Sequence, residues 1–499
     1  MSLFSMDASH VRLRVVQAGV ALLAAATFAG CGSAYRPVVT PINPSGPAAQ
    51  PSSLAVVLSS PAPAPSSPGV VTILDYAGDT IMARATIGPG PIAFTVDATG
   101  SNGYTVNSDH TLTNFQVSTN LQEKFVLFTT LPVTSKVVGL FSPTAGLWAA
   151  DLDNNVSDVL TGSPATFKLA IPLASTPIAV IGTSSIGQHN YAISQNNSST
   201  PVGSAIPFDV TCNNAPSSVS QNGEADALEV TTLTVSARIP LGKCPVYAVQ
   251  TPDARRLFVL NRGSDSITVI NSQDNTLDAC TPFTNQNGQI VTCHPSLPLS
   301  TTAGLSGNHV PAVAGPVYAE YNAATQQLIV ADYDGGTISV IDVSLDIYGD
   351  DSATFGTTFT IPVGKNPASV TVLADGSRAY TADQSDGTVH IVNLTSHTIE
   401  KTIGVVGHPR TVVSTSNTLY GKVYVASPDS PYVTIIRTDQ DIVDTTVLVE
   451  GNVVDVRVNT QDATKGNNNN TSRIPGGGQP CYLPGAANSN TLANCQKLP

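Results

Sequence analysis

The chain has 499 residues, of which 41% are hydrophobic and 11% charged, and its formal net charge is −13. This excess of negative charge argues against general electrostatic binding to nucleic acid, although a local basic patch is compatible with it. Helix-patterned stretches are nearly absent, and Gly, Pro, Ser, Thr, Asn and Val dominate. That composition is typical of many short strands joined by turns, so an all-β fold is expected.

Residues 1–30 have the pattern of an export signal. Arg12 and Arg14 precede an apolar stretch that runs from Val15 to Phe28 and is followed by Ala29-Gly30-Cys31. Small residues directly before a cysteine resemble a bacterial lipoprotein signal, which implies cleavage before Cys31 and acylation of its thiol. The apolar stretch is shorter than the roughly 20 residues that a membrane span needs. An ordinary secretory signal stays the alternative, because Phe28 stands where lipoprotein signals usually have Leu.

Residues 31–69 are predicted to be a tether between the lipid and the folded domain. The segment is rich in Pro, Ser and Ala, as in SSPAPAPSSPG, and such a composition favours an extended linker. One apolar island, residues 54–59, is either part of this tether or a strand. Gly32 follows Cys31, which by resemblance to Gram-negative sorting signals favours the outer membrane. The expected location is therefore the bacterial cell envelope.

From residue 70 onward the sequence repeats one hairpin pattern. LFVLNRGSDSITVIN at 257–271 returns as LIVADYDGGTISVID at 328–342 and as AYTADQSDGTVHIVN at 379–393. In each copy a β-branched or aromatic run ends in Asn or Asp, a polar turn with Gly follows, and a second strand alternates polar and apolar residues. Seven apolar tetrads mark these hairpins, at 104–107, 148–151, 191–194, 258–261, 329–332, 380–383 and 424–427.

The spacing of the tetrads predicts four-stranded blades. Their last residues are 44, 43, 67, 71, 51 and 44 positions apart. The short spacings match the roughly 40–45 residues of a propeller blade. The long spacings hold inserts near 195–222 and 275–310. An apolar strand, a turn with Gly and Pro and another strand precede most tetrads, as in IPLGKCPVYAV, IPVGKNPASVTV and IGVVGHPRTVV.

The succession of strand, VGxxP turn, strand, xxDGxx turn and YVTN-like tetrad resembles the YVTN-type β-propeller repeat proteins, relatives of lactonase-like and surface-layer propellers. The resemblance covers residues 70–460 and implies an all-β propeller of four-stranded blades. Strands at 442–449 and 453–458 are expected to form one composite blade with strands at 54–59 and 70–75, which pairs the chain ends and removes an exposed edge. This closure gives eight blades, with seven as the alternative. Residues 461–499 are predicted to be a polar tail.

The cysteine count agrees with export. Six cysteines remain after Cys31, and an even number in an exported chain favours disulfides. The pairs Cys280–Cys293 and Cys481–Cys495 would each close a short polar loop, which leaves Cys212 and Cys244 as a third pair. Metal binding by these cysteines is the weaker interpretation, because the sequence has no CxxC or CxxH spacing.

A search for catalytic motifs finds no HExxH, no GxSxG, no P-loop and no dense cluster of His, Asp and Glu. No catalytic residue, no metal site and no cofactor are therefore predicted. The acidic turns resemble oxygen-ligand loops for Ca²⁺, but the favoured interpretation is that their side chains stabilise tight turns. These turn residues are Asp332, Asp334, Asp383 and Asp386, together with Asn107 and Asn261.

The VGxxP turns provide one candidate binding site. If each turn joins the innermost strand of a blade to its neighbour near the channel, four cationic residues converge on one channel mouth. Convergent cations could hold a carboxylate, a phosphate or an anionic polymer. The alternative is that they are solvated turn residues. The four are Lys243, Lys365, His408 and Arg410.

Together these features favour a lipid-anchored, extracytoplasmic propeller that acts as a binding or cell-surface interaction module. Its partner would be an extracellular or periplasmic ligand or protein, and the membrane would be contacted through the lipid anchor only. A propeller hydrolase such as a lactonase-like enzyme is one alternative, and a structural envelope protein is another. Neither the ligand nor the oligomeric state follows from the sequence.

Overall fold

The computed structural model of the protein describes residues 53–61, 67–143, 146–182, 189–196, 221–285, 288, 290–415 and 421–459. Within these ranges the chain is almost entirely β-strand, with short 3-10 turns at Glu123–Phe125 and Arg262–Ser264. No helix among the described residues is long and apolar enough to cross a membrane. The predicted signal at 1–30, residues 31–52 and 62–66 of the predicted tether and the predicted tail at 461–499 lie outside the described residues.

The strands form eight four-stranded antiparallel blades, and the innermost strand of blades 1 to 7 is the first of each blade in the chain. Three strands precede blade 1: β1 (Leu54–Ser60), β2 (Pro68–Asp75) and β3 (Ile81–Pro89). Blade 1 has β4 (Pro91–Val96), β5 (Asn102–Asn107), β6 (Thr111–Gln116) and β7 (Val126–Thr130). Blade 2 has β8 (Val137–Phe141), β9 (Leu147–Asp151), β10 (Val156–Thr161) and β11 (Thr166–Pro172). Blade 3 has β12 (Pro177–Gly182), β13 (His189–Ser194), β14 (Asn222–Glu229) and β15 (Val235–Lys243).

Blade 4 carries an insert, and the later blades are regular. Its strands are β16 (Pro245–Gln250), β17 (Arg256–Asn261), β18 (Ser266–Asn271) and β19 (Thr276–Leu277), followed by β20 (Phe283–Thr284), β21 (Ile290–Val291) and β22 (Ser296–Pro298). Blade 5 has β23 (Pro316–Asn322), β24 (Gln327–Asp332), β25 (Thr337–Asp342) and β26 (Thr358–Pro362). Blade 6 has β27 (Pro367–Val372), β28 (Arg378–Asp383), β29 (Thr388–Asn393) and β30 (Thr398–Gly404). Blade 7 has β31 (Thr411–Ser414), β32 (Lys422–Ala426), β33 (Tyr432–Arg437) and β34 (Ile442–Leu448), and β35 (Asn452–Val458) follows it.

The blades close into a ring. Each innermost strand contacts the innermost strand of the next blade, and β35 contacts β4, so the series returns to its start. Buried apolar side chains fill the spaces between blades, because a single blade cannot bury both of its faces. The predicted eight-bladed propeller is thus confirmed.

The closing blade differs from the predicted division into two strands from each end. Its strand order is β3-β2-β1-β35, so the C-terminal part supplies one strand and the N-terminal part three. The predicted strand at 442–449 is instead β34, the outermost strand of blade 7. The burial patterns explain the difference. Most of β34 is exposed, as at a perimeter, whereas all of β1 is buried between two neighbours.

The insert predicted near 275–310 interrupts the fourth strand of blade 4. Both β19 and β22 pair with β18, and the chain between them leaves the blade as a loop that contains the small β20–β21 hairpin. The predicted Cys280–Cys293 disulfide closes this loop. Cys244 is also disulfide-bonded, while Cys212, Cys481 and Cys495 lie outside the described residues, as does most of the insert predicted at 195–222.

The VGxxP turns have a different place from the predicted one. Each joins the outermost strand of one blade to the innermost strand of the next. We call the face on which the innermost strands begin the entry face. Because neighbouring strands are antiparallel, the turns between second and third strands lie on this face as well.

A proline preceded by a left-handed residue begins five of the innermost strands. The residues with positive φ are Gly90, Thr176, Cys244, Gly315 and Asn366. After the proline, each of these strands shifts its register by one residue, for example between Pro245 and Tyr247. Proline cannot donate to the ladder, which favours a bulge at this position. In blades 1, 4, 5 and 6, residues one or two positions after the proline line a cavity at the axis of the ring.

We expect Leu58→Ala to lower the free energy of unfolding of the whole propeller by about 3 kcal/mol, because Leu58 is fully buried in the closing blade. Urea denaturation would measure the loss. Leu448→Ala, at an exposed position of the outermost strand of blade 7, is the matched control and should change the stability little. Equal effects of the two substitutions would contradict the central place of the closing blade.

Candidate functional site

A cavity of about 40 Å³ lies at the axis of the ring, where the innermost strands begin. Its volume accommodates a single small polar group or one or two waters. The bulged residues after the strand-initial prolines form part of its wall. Its lining consists of Leu58, Pro91, Ile92, Ala93, Phe94, Tyr247, Val317, Tyr318, Ala368, Arg410, Thr411, Val454 and Asp455.

Two tyrosines form the aromatic wall of this cavity. The rings of Tyr247 in blade 4 and Tyr318 in blade 5 have centroids 4.7 Å apart and are tilted by 33°. Both occupy the same position of their strands, and both side chains are buried. The pair provides a rigid apolar surface beside the polar groups of the cavity.

Two charged residues, Arg410 of blade 7 and Asp455 of blade 8, line the cavity, and Arg457 lies behind Asp455. Arg457 is fully buried, donates from Nε to Asp455 over 3.1 Å and lies 5.7 Å from the Phe94 ring centroid. Asp455 therefore compensates a charge that would otherwise be costly to bury. Arg410 donates to the backbone carbonyl of Val454, and this contact holds its guanidinium at the cavity wall.

Of the four cationic residues predicted for the channel mouth, Arg410 lines the cavity. The other three lie in entry-face turns. The backbone N–H of Lys243 donates to Ser264 over 2.6 Å, and that of Lys365 donates to the Asp386 carboxylate over 2.6 Å. The described structure thus brings one of the four to the channel wall, and anion binding by the set stays a prediction.

His408 is paired with a carboxylate. Its backbone N–H donates to Asp429 over 2.8 Å, and its Nδ1 lies 2.6 Å from the other oxygen of that carboxylate. Sequence reasoning missed this partner, although Asp429 lies in the turn of a YVTN-like hairpin. It also missed the two tyrosines, for which the repeated PVYA at 245–248 and 316–319 was an available indication.

The acidic residues considered for Ca²⁺ are engaged within the blades. Asp332 accepts hydrogen bonds from Ser339 (2.7 Å) and Thr337 (3.1 Å), and Asp383 lies 2.6 Å from His390 Nδ1. Asp334 accepts two bonds from Arg262, at 2.7 and 3.0 Å, and Asp386 caps the turn at Lys365. Among the described residues no group of three or more His, Cys, Asp or Glu side chains is arranged to hold a metal ion.

Three of the tetrad-ending residues share one structural role. Asn107 donates from Nδ2 to Thr113 over 2.8 Å, and Asn261 donates in the same way to Thr268 over 2.9 Å. Asp332 is in the corresponding place in blade 5 and accepts from Ser339. Each of these three buried side chains therefore joins the second strand of its blade to a hydroxyl of the third strand. This role is more specific than the predicted stabilisation of a tight turn.

A second buried charge cluster attaches the blade 4 insert. Arg256 lies 3.3 Å from Asp278 and 3.2 Å from Asp351, and His294 Nδ1 lies 2.7 Å from the other Asp351 oxygen. Burial raises the pKa of Asp278 to about 6. The ring of His294 also stacks on Phe355, with centroids 5.1 Å apart. These contacts hold the disulfide loop against blades 4 and 5.

The fold and the axial cavity define the chain as an eight-bladed β-propeller protein. It is similar to apo AztD from Citrobacter koseri, with 11% identity and a TM-score of 0.52 over 83% of this chain and 98% of AztD. It is similar to the dihydro-heme d1 dehydrogenase NirN, with 14% identity and a TM-score of 0.55 over 83% of this chain and 77% of NirN. At these identities the likeness concerns the fold alone. No protein-family model and no curated protein sequence matches the chain.

We expect Asp332→Asn to flatten the pH dependence of stability. Burial raises the pKa of Asp332 to about 7, so the folded state keeps a proton that the unfolded state loses near its ordinary pKa. As the pH rises from about 4 to 7, this carboxyl therefore lowers the free energy of unfolding by up to about 1.4 kcal/mol per pH unit. An Asn lacks this loss and can donate to the same hydroxyls.

Urea denaturation at several pH values checks this expectation. Asn261→Asp is the reciprocal substitution in blade 4, where Thr268 is the hydroxyl partner, and it should add a decline in stability over the same pH range. An Asp332→Asn variant with the pH slope of the parent protein would contradict the assignment.

Proposed function

We propose that the protein is an exported, lipid-anchored propeller that binds an anionic group of a partner at the entry end of its channel. The observation that carries this proposal is the position of Arg410 in the wall of the axial cavity, beside Tyr247 and Tyr318. A guanidinium next to an apolar aromatic wall is suited to a carboxylate or a phosphate, because charge-assisted hydrogen bonds strengthen where water is excluded.

The size of the cavity restricts the ligand. At about 40 Å³ it can admit one carboxylate or phosphate group, whereas a complete drug-sized ligand needs several hundred Å³. The ligand would thus insert one acidic group and leave the rest of its surface on the entry face. An extracellular or periplasmic protein or polymer with acidic side groups fits this requirement better than a free metabolite.

Because the net charge of the protein is −13, the position of Arg410 determines where an anion could bind. Long-range electrostatics oppose the approach of an anion to most of this protein, so specific binding depends on a local positive site. Asp455 is engaged by the buried Arg457. The Asp455 carboxylate is therefore partly balanced by Arg457, and Arg410 places a positive charge in the cavity wall.

A hexaglutamate peptide with a fluorescent label is the probe for this site. We expect the parent protein to bind it at low salt and Arg410→Gln to weaken binding about tenfold, because one charge-assisted contact is lost. Fluorescence anisotropy measures the affinity. Arg437→Gln is the matched control, since it removes the same charge from blade 7 at a position paired with Asp439.

Two results would refute the site. The first is an absence of binding of hexaglutamate and of inorganic phosphate by the parent protein. The second is an equal loss of affinity in Arg410→Gln and Arg437→Gln, which would indicate a general charge effect rather than recognition at the channel.

The lipid anchor has a separate test. Labelled palmitate should be incorporated into the parent protein in a bacterial host, and Cys31→Ser should abolish the label and the recovery of protein in the membrane fraction. Cys280→Ser is the matched control, since this cysteine is held in the disulfide of the blade 4 insert. An unlabelled, soluble parent protein would favour an ordinary secretory signal.

A further inference from the structure

We propose that one sector of the propeller perimeter binds the surface of an anionic phospholipid bilayer. This sector, the basic rim, consists of the outermost strands of blades 8, 1 and 2 and the 3-10 turn that precedes β7. It is defined by Arg84, Lys124, Phe125, Phe128, Phe167 and Lys168, all of which are exposed. The proposal rests on the proposed function in one respect: the lipid anchor decides which membrane the rim would contact.

The three outermost strands form a continuous surface. The backbone N–H and hydroxyl of Thr86 on β3 donate to Glu123 over 2.8 and 3.0 Å, which joins blade 8 to blade 1. The hydroxyl of Thr129 on β7 donates to the carbonyl of Ala165 over 2.7 Å, which joins blade 1 to blade 2. The rim is therefore one surface across three blades rather than three isolated edges.

Large apolar side chains protrude from this surface. Phe128 and Phe167 are 52% and 54% exposed, on neighbouring blades. The ammonium group of Lys124 lies 4.9 Å from the centroid of the Phe125 ring, which is itself partly exposed. Exposed aromatic rings bordered by long basic side chains are typical of surfaces that enter the boundary between headgroups and acyl chains.

The charge of the rim is opposite to that of the whole protein. Residues 81–89, 123–130 and 166–172 contain three basic residues and one acidic residue. The acidic residue, Glu123, is bound to Thr86, and the Arg84–Glu450 pair at 3.4 Å is highly exposed and therefore weak. Among the other outermost strands, β30 places Glu400 beside Lys401 and β34 carries Asp444. β15 carries Arg238, which lies 3.3 Å from Glu224 and 3.7 Å from Asp226 of its own blade.

The position of β1 in blade 8 agrees with this orientation. The described chain begins at Ser53, directly before β1 in blade 8, which is one of the three blades of the rim. Twenty-one residues lie between Cys31 and Ser53, and an extended chain of that length spans up to about 75 Å. A propeller held by its rim would place its axis parallel to the membrane, so the entry face would stay open to partners.

Vesicle flotation tests the rim without a lipid anchor. The chain is produced from residue 31 with Cys31→Ser, which keeps every described strand. We expect binding to phosphatidylcholine vesicles that contain about one-third phosphatidylglycerol, weaker binding to phosphatidylcholine alone, and a decrease with salt. The double variant Lys124→Glu/Lys168→Glu and the double variant Phe128→Ser/Phe167→Ser should each weaken binding about tenfold.

The opposite perimeter provides the matched controls. Phe359→Ser/Ile399→Ser removes two exposed apolar side chains from blades 5 and 6, and Lys401→Glu reverses a charge on blade 6. These variants should bind as the parent does, with all urea midpoints alike. Failure of the parent to bind the anionic vesicles, or equal losses in rim and control variants, would overturn the proposal. The Cys31→Ser protein used for flotation carries no acyl group. A failed palmitate test would therefore leave the flotation result unaffected.

Discussion

The pairing of β35 with β1 is the interaction on which the rest of this structure depends. A four-stranded sheet of this length exposes two apolar faces and two edges, and it becomes stable when both faces are covered by neighbouring sheets. Seven blades formed from consecutive segments would leave two faces open. The antiparallel pairing of Val57 with Val456, almost the whole chain apart, completes the eighth blade and covers both faces. The axial cavity exists because this pairing closes the ring.

The entrance to each blade connects local chain geometry with the candidate site. A left-handed residue followed by proline turns the chain from the perimeter to the axis, and the bulge after the proline shifts the side chains of the innermost strand. Tyr247 and Tyr318 occupy equivalent bulged positions, which is why they meet at 4.7 Å. The blade 7 entrance differs, because Pro409 lies two residues before β31, and Arg410 takes a place at the cavity wall. The site therefore arises from variation within a repeated turn.

Burial, rather than surface composition, determines the protonation and the pairing of many charged side chains in this protein. The protein is strongly acidic, yet several carboxylates, such as Asp332 and Asp278, are buried and keep their protons to higher pH than usual. Asp334, Asp351 and Asp455 are held by arginines inside the fold. Arg410 at the cavity wall and the cations of the basic rim are the positive groups on which the two proposals rest. Both proposed surfaces depend on this uneven distribution of charge.

The repeated hairpins were sufficient to predict a propeller of four-stranded blades, because strand alternation, Gly-containing turns and the spacing of the tetrads are local properties. The Cys280–Cys293 disulfide followed from short separation as well. The division of the closing blade, the course of the VGxxP turns and the partners of Lys365 and His408 did not follow, since each depends on strands or turns brought together only by the closed ring. Apolar runs of similar composition, such as 54–59 and 453–458, do not reveal which strands they pair with. Only the tertiary structure determined that one strand from the C-terminal part pairs with three from the N-terminal part. This arrangement buries β1 between two strands and leaves β34 at the perimeter.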